Sequence, residues 1–188
     1  MPILGIMASQ MSGKLWQPDG AYDSLAVATG SGVSTITFAG IPNTYKHLQL
    51  RSICRGTQSG TFTNMTLRVG DGSIDTGSNY SYHRLFGNGS TVTADGAANQ
   101  TSGLIGVTGS SAGANTFYTS VIDFLDYRDT NKFKTVRSLD GYDNNGDGFV
   151  FLQSFLWRST SAITTIQITL GGGQTLNNNS QFSLYGVR

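Results

Sequence analysis

A chain of 188 residues is long enough for one well-buried core carrying long loops. Its formal charge of +1, with only 12% charged residues, leaves neither the basic footprint of a nucleic-acid binder nor an acidic tail. All eleven acidic residues are Asp and none is Glu; with 25 Gly and abundant Ser, Thr and Asn, helix formers are scarce and turn formers plentiful, which is an all-β composition.

The first thirty residues scatter Ile3, Leu4, Ile6, Met7, Met11 and Trp16 among Pro2, Gly5, Gly13, Pro18 and Gly20, with neither a helical nor a strand period. Disordered tails are depleted in such apolar residues. The stretch therefore reads as an extended arm, residues 1–30, docking on a neighbouring subunit through Ile3, Leu4, Ile6, Met7 and Trp16. The apolar run at 3–8 lacks a positive flank and is broken by Gly5, so it is a poor signal peptide. Nothing approaches the roughly 20 apolar residues of a membrane span, and no membrane partner is expected.

From Val33 onward, short strand-like runs recur between clusters of Gly, Asn, Asp and Ser. They fall at 33–39, 46–55, 61–69, 79–86, 103–108, 116–126, 132–140, 149–158, 163–170 and 181–187. In the 163–170 run, Ile166, Ile168 and Leu170 share one face, with Thr165, Gln167 and Thr169 on the other. In the 149–158 run, Phe149, Phe151, Phe155 and Trp157 lie on one side with Gln153, and Val150, Leu152 and Leu156 on the opposite side. A strand apolar on both faces must be covered on both, by a core and by a subunit interface or another sheet. About ten strands at this spacing predict a two-sheet β-sandwich over residues 31–188, with a jelly roll as the favoured topology. The segments 70–78, 87–102 and 171–180 read as long polar loops, where binding residues concentrate.

The stretch "DNNGDG" from Asp143 begins like a calcium-binding loop. Its twelfth position, however, is Ser154 where a bidentate carboxylate is needed, and both flanks read as strands. Asn-Gly and Asp-Gly steps tolerate positive φ and favour hairpin turns, so residues 141–148 are predicted to be one. His47 and His83 sit in strand-like runs, Cys54 is alone, and the carboxylate cluster Asp123, Asp126 and Asp129 reads as no catalytic set but as a turn in which Asp126, Arg128 and Asp129 make local ion pairs. A lone cysteine permits no disulfide within the chain and no Cys-based zinc site, which suggests intracellular production. Tyr80, Tyr82 and Phe86 alternate around Arg84, a stripe read as core packing with a solvated or interfacial Arg. No nucleophile elbow, zinc-protease or phosphate-loop motif is present, so neither catalysis nor a cofactor or metal is expected.

The runs "ITFAGIPNTYKHLQLRSICR" (36–55) and "FSLYGVR" (182–188) resemble segments of small virion proteins of tailed bacteriophages, among them capsid decoration (cement) proteins and fibre domains. The resemblance implies a decoration protein on the capsid exterior, made in the host cytoplasm and trimeric, whose partner is the major capsid protein. The alternative it implies is a head- or tail-fibre module adhering to host-surface glycan, with the loops at 70–78 and 87–102 as the binding segments.

Overall fold

The computed structural model describes residues 20–188. All of its regular structure there is β, in thirteen strands. In chain order these are β1 (Tyr22–Gly30), β2 (Thr35–Phe38), β3 (His47–Cys54), β4 (Phe62–Asp71), β5 (Ser73–Ile74), β6 (Tyr80–Gly87) and β7 (Val92–Gln100). They continue with β8 (Gly103–Thr108), β9 (Tyr118–Phe124), β10 (Lys134–Asp143), β11 (Gly148–Trp157), β12 (Thr165–Thr169) and β13 (Ser180–Val187). The larger sheet has eight strands in the order β1-β13-β3-β9-β10-β11-β6-β7; the smaller runs β2-β12-β4-β5, with β8 also paired to β4. Neighbours in both sheets are antiparallel. The chain crosses between sheets at β1–β2, β2–β3, β3–β4, β5–β6, β7–β8, β8–β9, β11–β12 and β12–β13, so the two layers form a β-sandwich.

Period-two alternation decides which side chains meet between the layers. From the larger sheet come Leu48, Leu50 and Cys54 of β3, Ile122 and Phe124 of β9, and Phe182 and Leu184 of β13. The smaller sheet supplies Ile36, Met65, Leu67, Val69, Ile105, Val107, Ile166 and Ile168, all buried. Each fully buried aliphatic or aromatic side chain contributes about 1.5–3 kcal/mol. Under the β10, β11 and β6 part of the larger sheet the filling is aromatic. Phe62 of β4 lies within 5.6–5.9 Å, centroid to centroid, of Tyr118, Tyr142, Phe149 and Phe151.

All ten strand-like runs of the sequence are strands, and 103–108 coincides with β8 to the residue. Three other segments are corrected. The last nine residues of the expected arm at 1–30 are strand β1, paired along its length with β13, so the sheet begins at Tyr22. Most of the loop expected at 87–102 is strand β7, and the loop at 70–78 holds the short β5. The expected hairpin turn at 141–148 is present but tighter. β10 runs to Asp143 and pairs there with Gly148, leaving Asn145 (φ 60°) and Gly146 (φ 95°) at the centre.

Candidate functional site: the outer face of the larger sheet

The face of β9, β10, β11 and β6 that turns away from the core carries the second apolar set predicted for the 149–158 run. Register places Val121, Leu139, Leu152 and Leu85 side by side on β9, β10, β11 and β6. Arg51 of β3 ends the row on one side and Ala94 of β7 on the other. Four inter-strand steps of about 4.8 Å make the span from Val121 to Ala94 roughly 19 Å. In the next row Val150 stands between Gly141 and Gly87. The two glycines leave it without neighbouring side chains, and it is 61% exposed; Leu139 is 59%, Leu152 52%, Leu85 48% and Val121 41% exposed. Single exposed aliphatics are ordinary, whereas a contiguous row marks an interaction surface.

Polar groups border this row on one side. Arg51 donates from Nε to Gln49 Oε1 at 2.7 Å, and Gln49 Nε2 donates to Asp123 Oδ1 at 2.8 Å. Arg137 donates to Asp123 Oδ2 at 3.2 Å, and the Arg51 guanidinium lies over the rings of Tyr22 and Tyr185 at 5.1 and 5.2 Å. An apolar strip with a polar rim is the anatomy of a protein interface.

The opposite, inward side of the same strands carries a polar row. Ser52 and Ser120 hydroxyls lie 2.8 Å apart. Asp140 accepts from Tyr118 Oη at 2.5 Å, from Ser138 Oγ at 2.7 Å and from Gln153 Nε2 at 3.0 Å. Burial pushes the Asp140 carboxyl above the usual carboxylate range, against the pull of those donors. Further along, Arg84 binds Asp95 in bidentate fashion at 2.6 and 2.8 Å. Its guanidinium is 5.4 Å from the centroids of both Tyr82 and Phe86, so this stripe is internal packing around an ion-paired Arg.

The other residues singled out in the sequence are dispersed. His47 Nδ1 accepts the Asp126 N–H at 2.9 Å, while His83 is exposed on the outer face beside Leu85. Cys54 is fully buried and its thiol is pushed up to about 12 by burial, which makes it a packed residue. Asp123 meets Arg137, and Asp126 and Asp129 meet Lys132. Arg128, expected in those ion pairs, instead donates to the Asn43 carbonyl. In the 143–147 turn Asp143 accepts the Gly146 N–H, and no group of three His, Cys, Asp or Glu side chains is placed to hold a metal among the described residues. Asp75, in the polar segment 70–78, accepts from Trp157 Nε1 at 2.8 Å and from Asn79, a latch to β11. Ile3, Leu4, Ile6, Met7 and Trp16 lie outside the described residues.

Lys134 gave no signal in the sequence, yet it is fully buried. Its ammonium donates to the carbonyls of Asp129, Lys132 and Thr160 at 2.5–3.1 Å, filling all three donor positions and closing the loop between β9 and β10. No family model matches the chain, and neither a curated protein nor a solved structure matches it.

Proposed function

We propose that the protein is a structural subunit of a bacteriophage virion, a decoration protein of the capsid exterior. In this reading it works as a homotrimer in which the outer face of the larger sheet packs against neighbouring copies. The observation that carries it is the row Val121–Leu139–Leu152–Leu85, apolar, contiguous and exposed on a chain of net charge +1. Permanent interfaces between copies have apolar centres of this kind, and low net charge removes the repulsion that would oppose assembly.

The strand order supports a jelly-roll body. With the hairpins β6–β7 and β10–β11 and the two-residue β5 set aside, the sheets read β1-β13-β3-β9 and β2-β12-β4-β8, the interleaving of two Greek keys. The likeness of 36–55 and 182–188 to tailed-phage virion proteins adds the setting. The segment ahead of β1 would dock on the major capsid protein through Ile3, Leu4, Ile6, Met7 and Trp16, and many copies joined to one shell gain avidity.

Copy number in purified particles, by quantitative mass spectrometry against the major capsid protein, tests the assignment. Hundreds of copies are expected; absence from particles contradicts it, and a few copies would move the protein to a fibre or tail. Deleting residues 1–16 should abolish attachment while leaving a folded body, and retained attachment would remove the docking role from those residues.

A further inference from the structure

One end of the sandwich gathers four loops that are far apart in sequence: 31–34, 55–61, 109–117 and 170–179. They are tied together by backbone hydrogen bonds. The Gly32 N–H donates to the Leu176 carbonyl, Leu176 to Val33, Asn177 to Arg55, Thr57 to Thr175, and Ser110 to Gln58, all at 2.7–2.9 Å. Arg55 rivets the assembly: Nη1 donates to the carbonyls of Gly113 and Thr116, and Nη2 to those of Ser110 and Ala112, at 2.8–3.2 Å. The loops enclose an open cleft of about 490 Å³, within the size range of small-molecule sites.

The chemistry of the lining selects a ligand class. Among the described residues no Asp, Lys or His lines the cleft, so it carries no carboxylate to draw a divalent cation. The single charged lining residue among those described is Arg55, and its four terminal N–H groups are already spent on carbonyls, which leaves little for an anion. Asn115, Asn177, Asn179 and Thr175 line the cleft, together with the half-buried Phe117. The three amides make no side-chain hydrogen bond to another described residue. Each presents one acceptor oxygen and two donor hydrogens, which complements neighbouring hydroxyls that both donate and accept. An aromatic ring beside them offers an apolar platform for a C–H face.

We infer that this cleft is a binding site for a neutral carbohydrate, with Asn115, Asn177 and Asn179 reading hydroxyls and Phe117 carrying the ring face. It is a separate site from the outer face of the larger sheet and does not depend on that surface being an interface. Asn115 (φ 63°) and Asn179 (φ 68°) have left-handed backbone, so Asn115→Gly and Asn179→Gly remove the amides without straining the loops.

The test is a glycan array carrying neutral and acidic oligosaccharides, followed by calorimetric titration of the hits with the full chain. Neutral glycans should bind. Asn115→Gly, Asn177→Ala and Asn179→Gly should each weaken binding about tenfold, while Ser161→Ala, at an exposed position between β11 and β12, leaves it unchanged. Amide chemical shifts of the wild-type chain, followed during titration, should move at 115–117 and 175–179; this readout stands even if a variant folds poorly. No neutral binder, a preference for acidic glycans, unchanged affinity in the Asn variants, or shifts confined to the sheet face would each overturn the assignment.

Discussion

Asp140 is the side chain in which burial and hydrogen bonding are most directly opposed. Three side-chain donors favour its carboxylate, yet burial wins and its pKa is raised. The folded chain therefore holds this proton more tightly than the unfolded chain. The associated stability is complete below the ordinary carboxylate pKa and is lost as pH rises through the raised value. Asp75 has the opposite sign. Burial opposes its ionisation, but hydrogen bonds from Trp157, Asn79 and Gly77 hold its carboxyl below the usual range, so its contribution is lost on acidification. Asp140→Asn separates the two effects. Between about pH 4 and about pH 7, bracketing the ordinary carboxylate value upward, the urea midpoint of the variant should gain steadily on that of the wild type. A difference that stays constant with pH would contradict the burial of a titrating carboxyl. The sequence offered no route to this network, because Ser52, Ser120 and Ser138 look like solvent-facing strand residues until the register sets them beside Gln153 across four strands.

Among the elements, the β10–β11 hairpin forms most of the exposed apolar strip and is set by its turn. Asn144 N–H donates to the Asp147 carbonyl at 2.6 Å, with Asn145 and Gly146 both at positive φ, the two-residue turn whose twist matches the flanking strands. Gly146→Ala should lower unfolding stability by about 1–2 kcal/mol, the cost of a left-handed L-residue, whereas Asn145→Gly should change it little. Equilibrium denaturation of the two variants checks the contrast, and equal losses would contradict it. The hairpin was legible because Asn-Gly and the flanking alternation agree. β1 and β7 were not, for a shared reason: among the described residues each is an edge strand with one partner. β7, "VTADGAANQ", carries one large apolar residue, Val92, and that one is exposed. Its strand form comes from backbone pairing with β6, which leaves no hydrophobic pattern to read. β1 packs Leu25, Ala26 and Ala28 against the core only in part, a signal lost beside the aperiodic segment before it.

For the whole molecule, the sandwich and most of its strands followed from composition and period-two alternation. The two-faced character of the 149–158 run also pointed to the outer surface. What the sequence withheld was that the neighbouring strands align Val121, Leu139 and Leu85 with Leu152, since strand order depends on pairings more than sixty residues apart, such as β11 with β6. The cleft at the loop end was hidden likewise, being assembled from four distant segments. Covering the apolar row contributes on the order of 1 kcal/mol per half-exposed aliphatic, about half the value for full burial. A charge at its centre would leave that charge buried and unpaired. Because Leu139 and Leu152 are more than half exposed, Leu139→Asp and Leu152→Asp should shift the stability of the fold by no more than about 0.5 kcal/mol.

The native mass of the purified chain at micromolar concentration, with Leu139→Asp and Leu152→Asp alongside, tests the central claim most directly. The wild type should appear as three times the 20.0 kDa chain, and either substitution should reduce it to a single folded chain. A wild-type monomer, or variants that keep the wild-type mass, would contradict the outer face of the larger sheet as the assembly surface.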